Sequence, residues 1–197
     1  MQSARTGRVP HHHETYGDVG RHVITFSCQG DDLVVETVIE GEVKVLVVPL
    51  FKRNGTYREV WRGDRLIAFH SRILDNGEVY ELNARAEGDH TVIEGRRGRT
   101  EAPPTIVSSH PWNTRPSTAL CCSTPSGGGQ KVQVAPAGTE TITVEGRALA
   151  AQKYHITGDL RREFWYDEAG NWLQSRLEHN GATITLTCRS VPAPTGL

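Results

Sequence analysis

Tight glycine turns punctuate this chain at intervals of roughly 8–12 residues, the spacing of an antiparallel meander. The first half carries Gln29-Gly30-Asp31-Asp32, Glu40-Gly41-Glu42, Arg53-Asn54-Gly55-Thr56, Arg62-Gly63-Asp64-Arg65, Asp75-Asn76-Gly77-Glu78 and Glu87-Gly88-Asp89-His90. The second half carries Ala137-Gly138, Glu145-Gly146, Thr157-Gly158-Asp159, Glu168-Ala169-Gly170 and His179-Asn180-Gly181. Asn-Gly and Gly-Asp supply the positive φ that two-residue hairpin turns require. A long meander most simply avoids exposed edges by curling on itself. The expected fold is therefore all-β: an antiparallel meander forming a closed or half-open β-barrel with one long capping loop.

The segments between the turns support this reading. Residues 19–28 and 33–39 form a first pair across Gly30-Asp31, and residues 57–61 and 66–72 form another. Residues 43–51 are nearly continuous in apolar side chains and read as one strand buried on both sides or crossing the core. The meander stops at residues 98–118, where Pro103-Pro104, Pro111 and Pro116 exclude a central strand. Long loops of this kind inside a domain are often lids or plugs. Residues 1–15 lack a periodic apolar face and read as a flexible arm, residues 16–190 as a single barrel domain, and residues 191–197 as a tail.

Composition removes several function classes. The 197 residues hold 37% hydrophobic side chains, enough for one domain with a sizeable core. A net charge of −1, with both signs interspersed, argues against a nucleic-acid partner. No apolar run approaches the ~18 residues of a transmembrane helix. The start, Met1-Gln2-Ser3-Ala4-Arg5-Thr6-Gly7-Arg8, has no signal-peptide core, so a cytoplasmic location is expected as written. A periplasmic or secreted location follows if a leader has been removed. Cys28, Cys121, Cys122 and Cys188 fit no zinc or thioredoxin spacing and read as reduced thiols. A Cys28–Cys188 bridge is open if the barrel closes at that seam. His11-His12-His13 has no carboxylate or cysteine cluster beside it, so no metal is expected.

The order and spacing of several motifs carry a resemblance. They are His22, Glu59-Val60-Trp61-Arg62-Gly63, Asp75-Asn76-Gly77, Ser109-His110-Pro111-Trp112-Asn113 and Gly158-Asp159-Leu160-Arg161-Arg162-Glu163-Phe164-Trp165-Tyr166-Asp167. The chain resembles a bacterial, mostly exported β-rich family of unknown function over residues 16–190. It is more loosely similar in architecture to the lipoprotein-carrier half-barrels, which hold acyl chains. That likeness implies fold and not function.

Alternation along the strands nominates the site. Tyr57, Glu59 and Trp61 share one face, against the more solvent-like Arg58, Val60 and Arg62. Glu59 is then an interior acid flanked by aromatics, suited to proton transfer, or else an ion-pair partner for an arginine such as Arg72 or Arg161. Phe69 falls on the apolar face of its strand, while His70 and Arg72, grouped with Leu66 and Ala68, face water. Tyr154 is a better interior candidate than His155. In residues 160–167, Phe164 and Tyr166 oppose Arg161 and Trp165, and either face can line a cavity. On the long loop, His110 is placed to act as an acid or base and Trp112 to cover a ligand, or both to plug the barrel.

The candidate catalytic residues are therefore Glu59, His110, Tyr154 and Tyr166. The candidate ligand-binding residues are Trp61, Phe69, Trp112, Phe164, Trp165 and Arg161. No phosphate loop, zinc-protease motif, nucleophile elbow or dinucleotide fingerprint is present, and no cofactor is expected. The residues suit a cofactor-independent cyclase or isomerase acting on an apolar small molecule inside the barrel. A non-catalytic carrier of a lipid-like ligand is the alternative.

Overall fold

Two hairpin tips show how local backbone chemistry sets the meander. Asn76 and Gly77 have φ of 50° and 91°, and Glu145 and Gly146 have 50° and 77°. Both pairs put two successive residues in the left-handed region, which matches the twist of the flanking strands. The computed structural model describes residues 5–13, 17–45, 48–110, 112, 119–122, 127–179 and 182–188. Its strands are β1 (Arg5–His13), β2 (Gly17–Gln29), β3 (Asp32–Val45), β4 (Val48–Arg62), β5 (Arg65–Asp75), β6 (Glu78–Glu87), β7 (His90–Gly95) and β8 (Gly98–Ala102). They continue as β9 (Val107–Ser108), β10 (Ala119–Cys122), β11 (Gly128–Val144), β12 (Arg147–Gly158), β13 (Arg162–Tyr166), β14 (Trp172–His179) and β15 (Ala182–Thr187).

All of them belong to one sheet, ordered β8-β7-β6-β5-β4-β3-β2-β1-β15-β14-β13-β12-β11-β10-β9. Neighbours are antiparallel except β9 and β10, which run parallel. The sheet curls until β7 and β8 meet β11 and β5 meets β9. No ladder among the described residues joins the two ends, so the barrel is half-open. No helix among them is long and apolar enough to cross a membrane.

Several local expectations fail for physical reasons. The expected arm at residues 1–15 contains β1, which pairs with both β2 and β15 and forms the seam between the two halves. Backbone ladders need no apolar side chains, and the β1–β2 register slips between His11 and His12. Residues 43–51 are not one strand: Val45 pairs with Val48 across the β3–β4 hairpin. Gly138 sits at a bulge inside β11, not in a turn. The expected loop at residues 98–118 holds β8 and β9. Cys28 and Cys188 are not bridged to each other, and β1 stands between β2, which carries Cys28, and β15, which Cys188 follows.

Gly41 and Gly55 are also strand residues, not turns. Gly20 pairs with Gly41, and Gly55 pairs with Ile39 and Ile73. A Cβ on Gly20 would strike the Glu40 carbonyl and stand 2.7 Å from Gly41 Cα. The obstacles are backbone and have no rotamer to escape into. Gly20→Ala is therefore expected to cost about 1–3 kcal/mol, read as a lower urea midpoint at unchanged slope.

The concave face carries one continuous core, including Phe26, Val35, Trp61, Phe69 and Ile73 from the first half and Ile156, Phe164, Tyr166, Trp172 and Leu186 from the second. A bulge leaves Ile67 without a partner, because Val60 pairs with Ala68 and Trp61 with Leu66. The slip turns Leu66 inward, while His70 and Arg72 stay exposed as strict alternation expects.

Candidate active site

Glu59 sits at the centre of the inner face, paired across the ladder with Val35 on β3 and Phe69 on β5. It is 0% exposed. A carboxylate in such surroundings must have its oxygens occupied. Trp61 Nε1 donates to Oε2 at 2.9 Å, and Trp112 Nε1 donates to Oε1 at 3.3 Å. His110 Nδ1 lies 2.6 Å from Oε1. Indole nitrogens only donate, so both carboxylate oxygens act as acceptors and the Nδ1 proton completes the set. Neutral His110 is then held as the Nδ1–H tautomer, which leaves Nε2 as a base. That Nε2 is buried, and none of the described residues hydrogen-bonds to it.

The loop that delivers His110 is tied down from both sides of the barrel. A turn closed by Ile106 N–H on the Pro103 carbonyl, 3.1 Å, precedes it. Ile106 and Val107 then drop into the core. Arg162 of β13 donates to the Ser109 carbonyl at 3.1 Å, while Glu59 of β4 holds His110 and Trp112. The His110 ring meets the Tyr57 ring at 4.0 Å and 82°, and His22 lies 6.5 Å away. Half-buried Trp112 meets Phe26 and Trp61 edge-on at 5.7 and 5.5 Å.

Of the residues nominated from sequence, Glu59, Trp61, His110 and Trp112 thus form one cluster, with Phe69 beside it. Phe164, Tyr166 and Tyr154 belong to the same core on the C-terminal half, where Tyr166 contacts Tyr154 at 5.7 Å and Phe164 at 6.3 Å. Burial pushes the Tyr166 phenol well above the usual tyrosine range, with Tyr154 adding to it, so Tyr166 stays protonated. Trp165 and Arg161 are not brought in. Trp165 faces the other side of the sheet, packed with Ile142, Val144 and Ala151. There Lys153 and Arg176 cover its ring at 4.9 and 5.4 Å, and Glu140 accepts its N–H at 3.0 Å. Arg161 is exposed in the turn before β13. Neither arginine considered as a partner for Glu59 fills that role: Arg72 pairs with Glu81 at 3.0 Å, and Arg161 is exposed.

Sequence reasoning passed over Tyr57, Phe26 and His22 as site residues. Tyr57 is legible from the shared face of β4, and His22 and Phe26 from alternation in β2. No group of three or more metal-capable side chains exists among the described residues.

Comparison with known proteins supports the fold. Residues 17–189 match the model of a family described as a domain of unknown function, DUF6134. A solved structure of a β-barrel-like protein of another domain family of unknown function, DUF1849, from Brucella abortus superposes with a TM-score of 0.64. That match has 10% identity and covers 96% of each chain, so the likeness is one of fold alone. No functionally curated protein matches the sequence.

Proposed function

We propose that this chain, which belongs to the DUF6134 family, is a cofactor-independent enzyme of the isomerase or cyclase type. It moves a proton on an apolar small molecule bound in the half-barrel. The observation that supports this reading is the buried His110 Nε2, whose opposite nitrogen is held by Glu59 at 2.6 Å. A carboxylate that fixes the tautomer and orientation of an imidazole, and leaves its second nitrogen open, is the arrangement acid–base catalysis needs. Glu59 is the positioning residue here, because both of its oxygens are engaged. His110 is the proton carrier, and Trp112 covers it. Tyr154 and Tyr166 shape the far side of the site.

The test starts from the protein as purified. Native mass spectrometry and organic extraction identify a bound compound, which is then incubated with fresh protein in D2O. A proton-transferring enzyme returns an isomerised or deuterated compound. Unchanged, unlabelled compound in stoichiometric amount would replace this reading with that of a carrier.

A further inference from the structure

Although the meander curls on itself, one edge stays open among the described strands. Of the two terminal strands, β9 is two residues long and buried. By contrast, β8 has β7 as its only strand neighbour there and shows Gly98, Arg99, Thr100 and Glu101 to solvent. Exposed edges are usually blocked by proline, a bulge or lysines. β8 carries none of these, and its ladder with β7 runs without a register shift.

The hairpin tip fixes which backbone groups face outward. Arg96-Arg97 is a two-residue tip that closes at Gly95 and Gly98. The closing pair of such a hairpin exchanges both of its hydrogen bonds, and pairs of this kind then alternate along the ladder. Gly98, Thr100 and Ala102 therefore turn their N–H and C=O groups toward β7, and Arg99 and Glu101 turn theirs to the open edge. The preceding hairpin has the same phase. Its Gly88-Asp89 tip closes at Glu87 and His90, so Val92 and Glu94 turn to β6 and leave Thr91, Ile93 and Gly95 for β8.

The side chains at the two open positions carry opposite charges and share one face of β8. Arg99 lies 3.6 Å from Glu87, a carboxylate that Arg85 already holds at 2.6 Å. Glu101 is exposed and makes no ion pair among the described residues. On the other face Ala102 packs against the core, and Thr100 is exposed beside buried Ile93 because no further strand covers it.

We infer that β8 is a docking strand for a second copy of this chain, whose own β8 pairs with it antiparallel about a two-fold axis at Thr100. In that register Arg99 stands opposite Glu101 of the second copy, and Glu101 opposite its Arg99. These are the positions with outward backbone groups, so both pairs complete their ladder hydrogen bonds while joining opposite charges. Thr100 meets Thr100 of the second copy between them. The charge order selects this arrangement, because parallel copies in register would set Arg99 against Arg99. A two-fold axis makes both contacts equivalent. Five residue pairs make a small interface, so the dimer is weak and reversible.

Sedimentation equilibrium from about 10 µM to about 1 mM tests this. The average mass is expected to climb from the monomer value toward twice that value. Arg99→Glu and Glu101→Arg proteins are each expected to stay monomeric over the range, since each places like charges opposite one another. An equimolar mixture of the two restores opposite charges at both pairs and is expected to associate at least as tightly as the parent. Hydrogen exchange of the parent gives a second measurement that needs no variant. The Arg99 and Glu101 amides are expected to slow about threefold or more from the low to the high concentration, while the Thr100 amide, bonded to β7, is slow at both. A parent that remains monomeric at about 1 mM overturns the inference. So does a dimer that survives both single substitutions, or one whose Arg99 and Glu101 amides exchange equally fast at both concentrations, because such a dimer uses another surface.

Discussion

Glu59→Ala is expected to lower stability by about 3–5 kcal/mol, the cost of breaking a buried polar network by removing its centre. The substitution does more than leave a cavity. It strips the acceptor from His110 Nδ1, Trp61 Nε1 and Trp112 Nε1 at once. Each buried donor left unmet costs about 1–3 kcal/mol, and partial relaxation keeps the sum below the simple total. The loop loses its hydrogen bonds to β4 in the same step and keeps that of Arg162 to the Ser109 carbonyl. For a chain of this size the midpoint of thermal unfolding should fall by about 10 °C. Glu59→Gln is the finer test. An amide has one oxygen, so it accepts from His110 and Trp112 only by turning its NH2 toward the Trp61 N–H. One donor is then orphaned, and the expected loss is about 1–3 kcal/mol. A Glu59→Ala protein within 1 kcal/mol of the parent, by urea unfolding, would mean that the network does not form in solution.

The pieces of this network were legible in the sequence, but their meeting was not. Alternation along residues 57–61 places Glu59 and Trp61 on one inner face, and burial of Tyr57, Glu59 and Trp61 agrees. Prolines mark the stretch that carries His110 and Trp112 as something other than a central strand. Yet Glu59 and His110 lie 51 positions apart, and no local pattern encodes a contact across that separation. The same limit explains the misread glycines. Gly77 and Gly55 look alike in sequence, each beside an asparagine, but one turns a hairpin and the other lets Ile73 and the Arg72 carbonyl approach a strand interior. Spacing cannot separate those uses, because both rest on the missing Cβ. Trp165 was ambiguous for another reason. Both faces of β13 carry aromatics, and only the cations of Lys153 and Arg176 reveal which face is outside. As for β1, ladder hydrogen bonds are blind to side chains, so a strand built from Arg, Gly, Pro and His leaves no apolar trace.

Substitutions at His110 should separate its hold on the loop from the proton transfer proposed for it. An asparagine amide nitrogen reaches about where Nδ1 stands, and a glutamine amide nitrogen about where Nε2 stands. His110→Asn therefore keeps a donor to Glu59 and deletes the open base. Its stability is expected to stay within about 1 kcal/mol of the parent, because the buried carboxylate retains its partners. Turnover, measured as deuterium incorporation into the bound compound, is expected to fall by about 10²–10⁴-fold, the usual contribution of a positioned acid–base group. KM should change little, since the lost interaction develops only as the proton moves. His110→Gln is expected to invert the pattern in one respect: it removes the Glu59 contact, so stability drops, and it still supplies no base, so turnover stays low. A merely anchoring histidine would give a different result, with His110→Asn as active as the parent. Comparing the two variants thus tests the chemistry without confusing it with folding, and a stable, inactive His110→Asn protein is the outcome the proton-transfer reading requires.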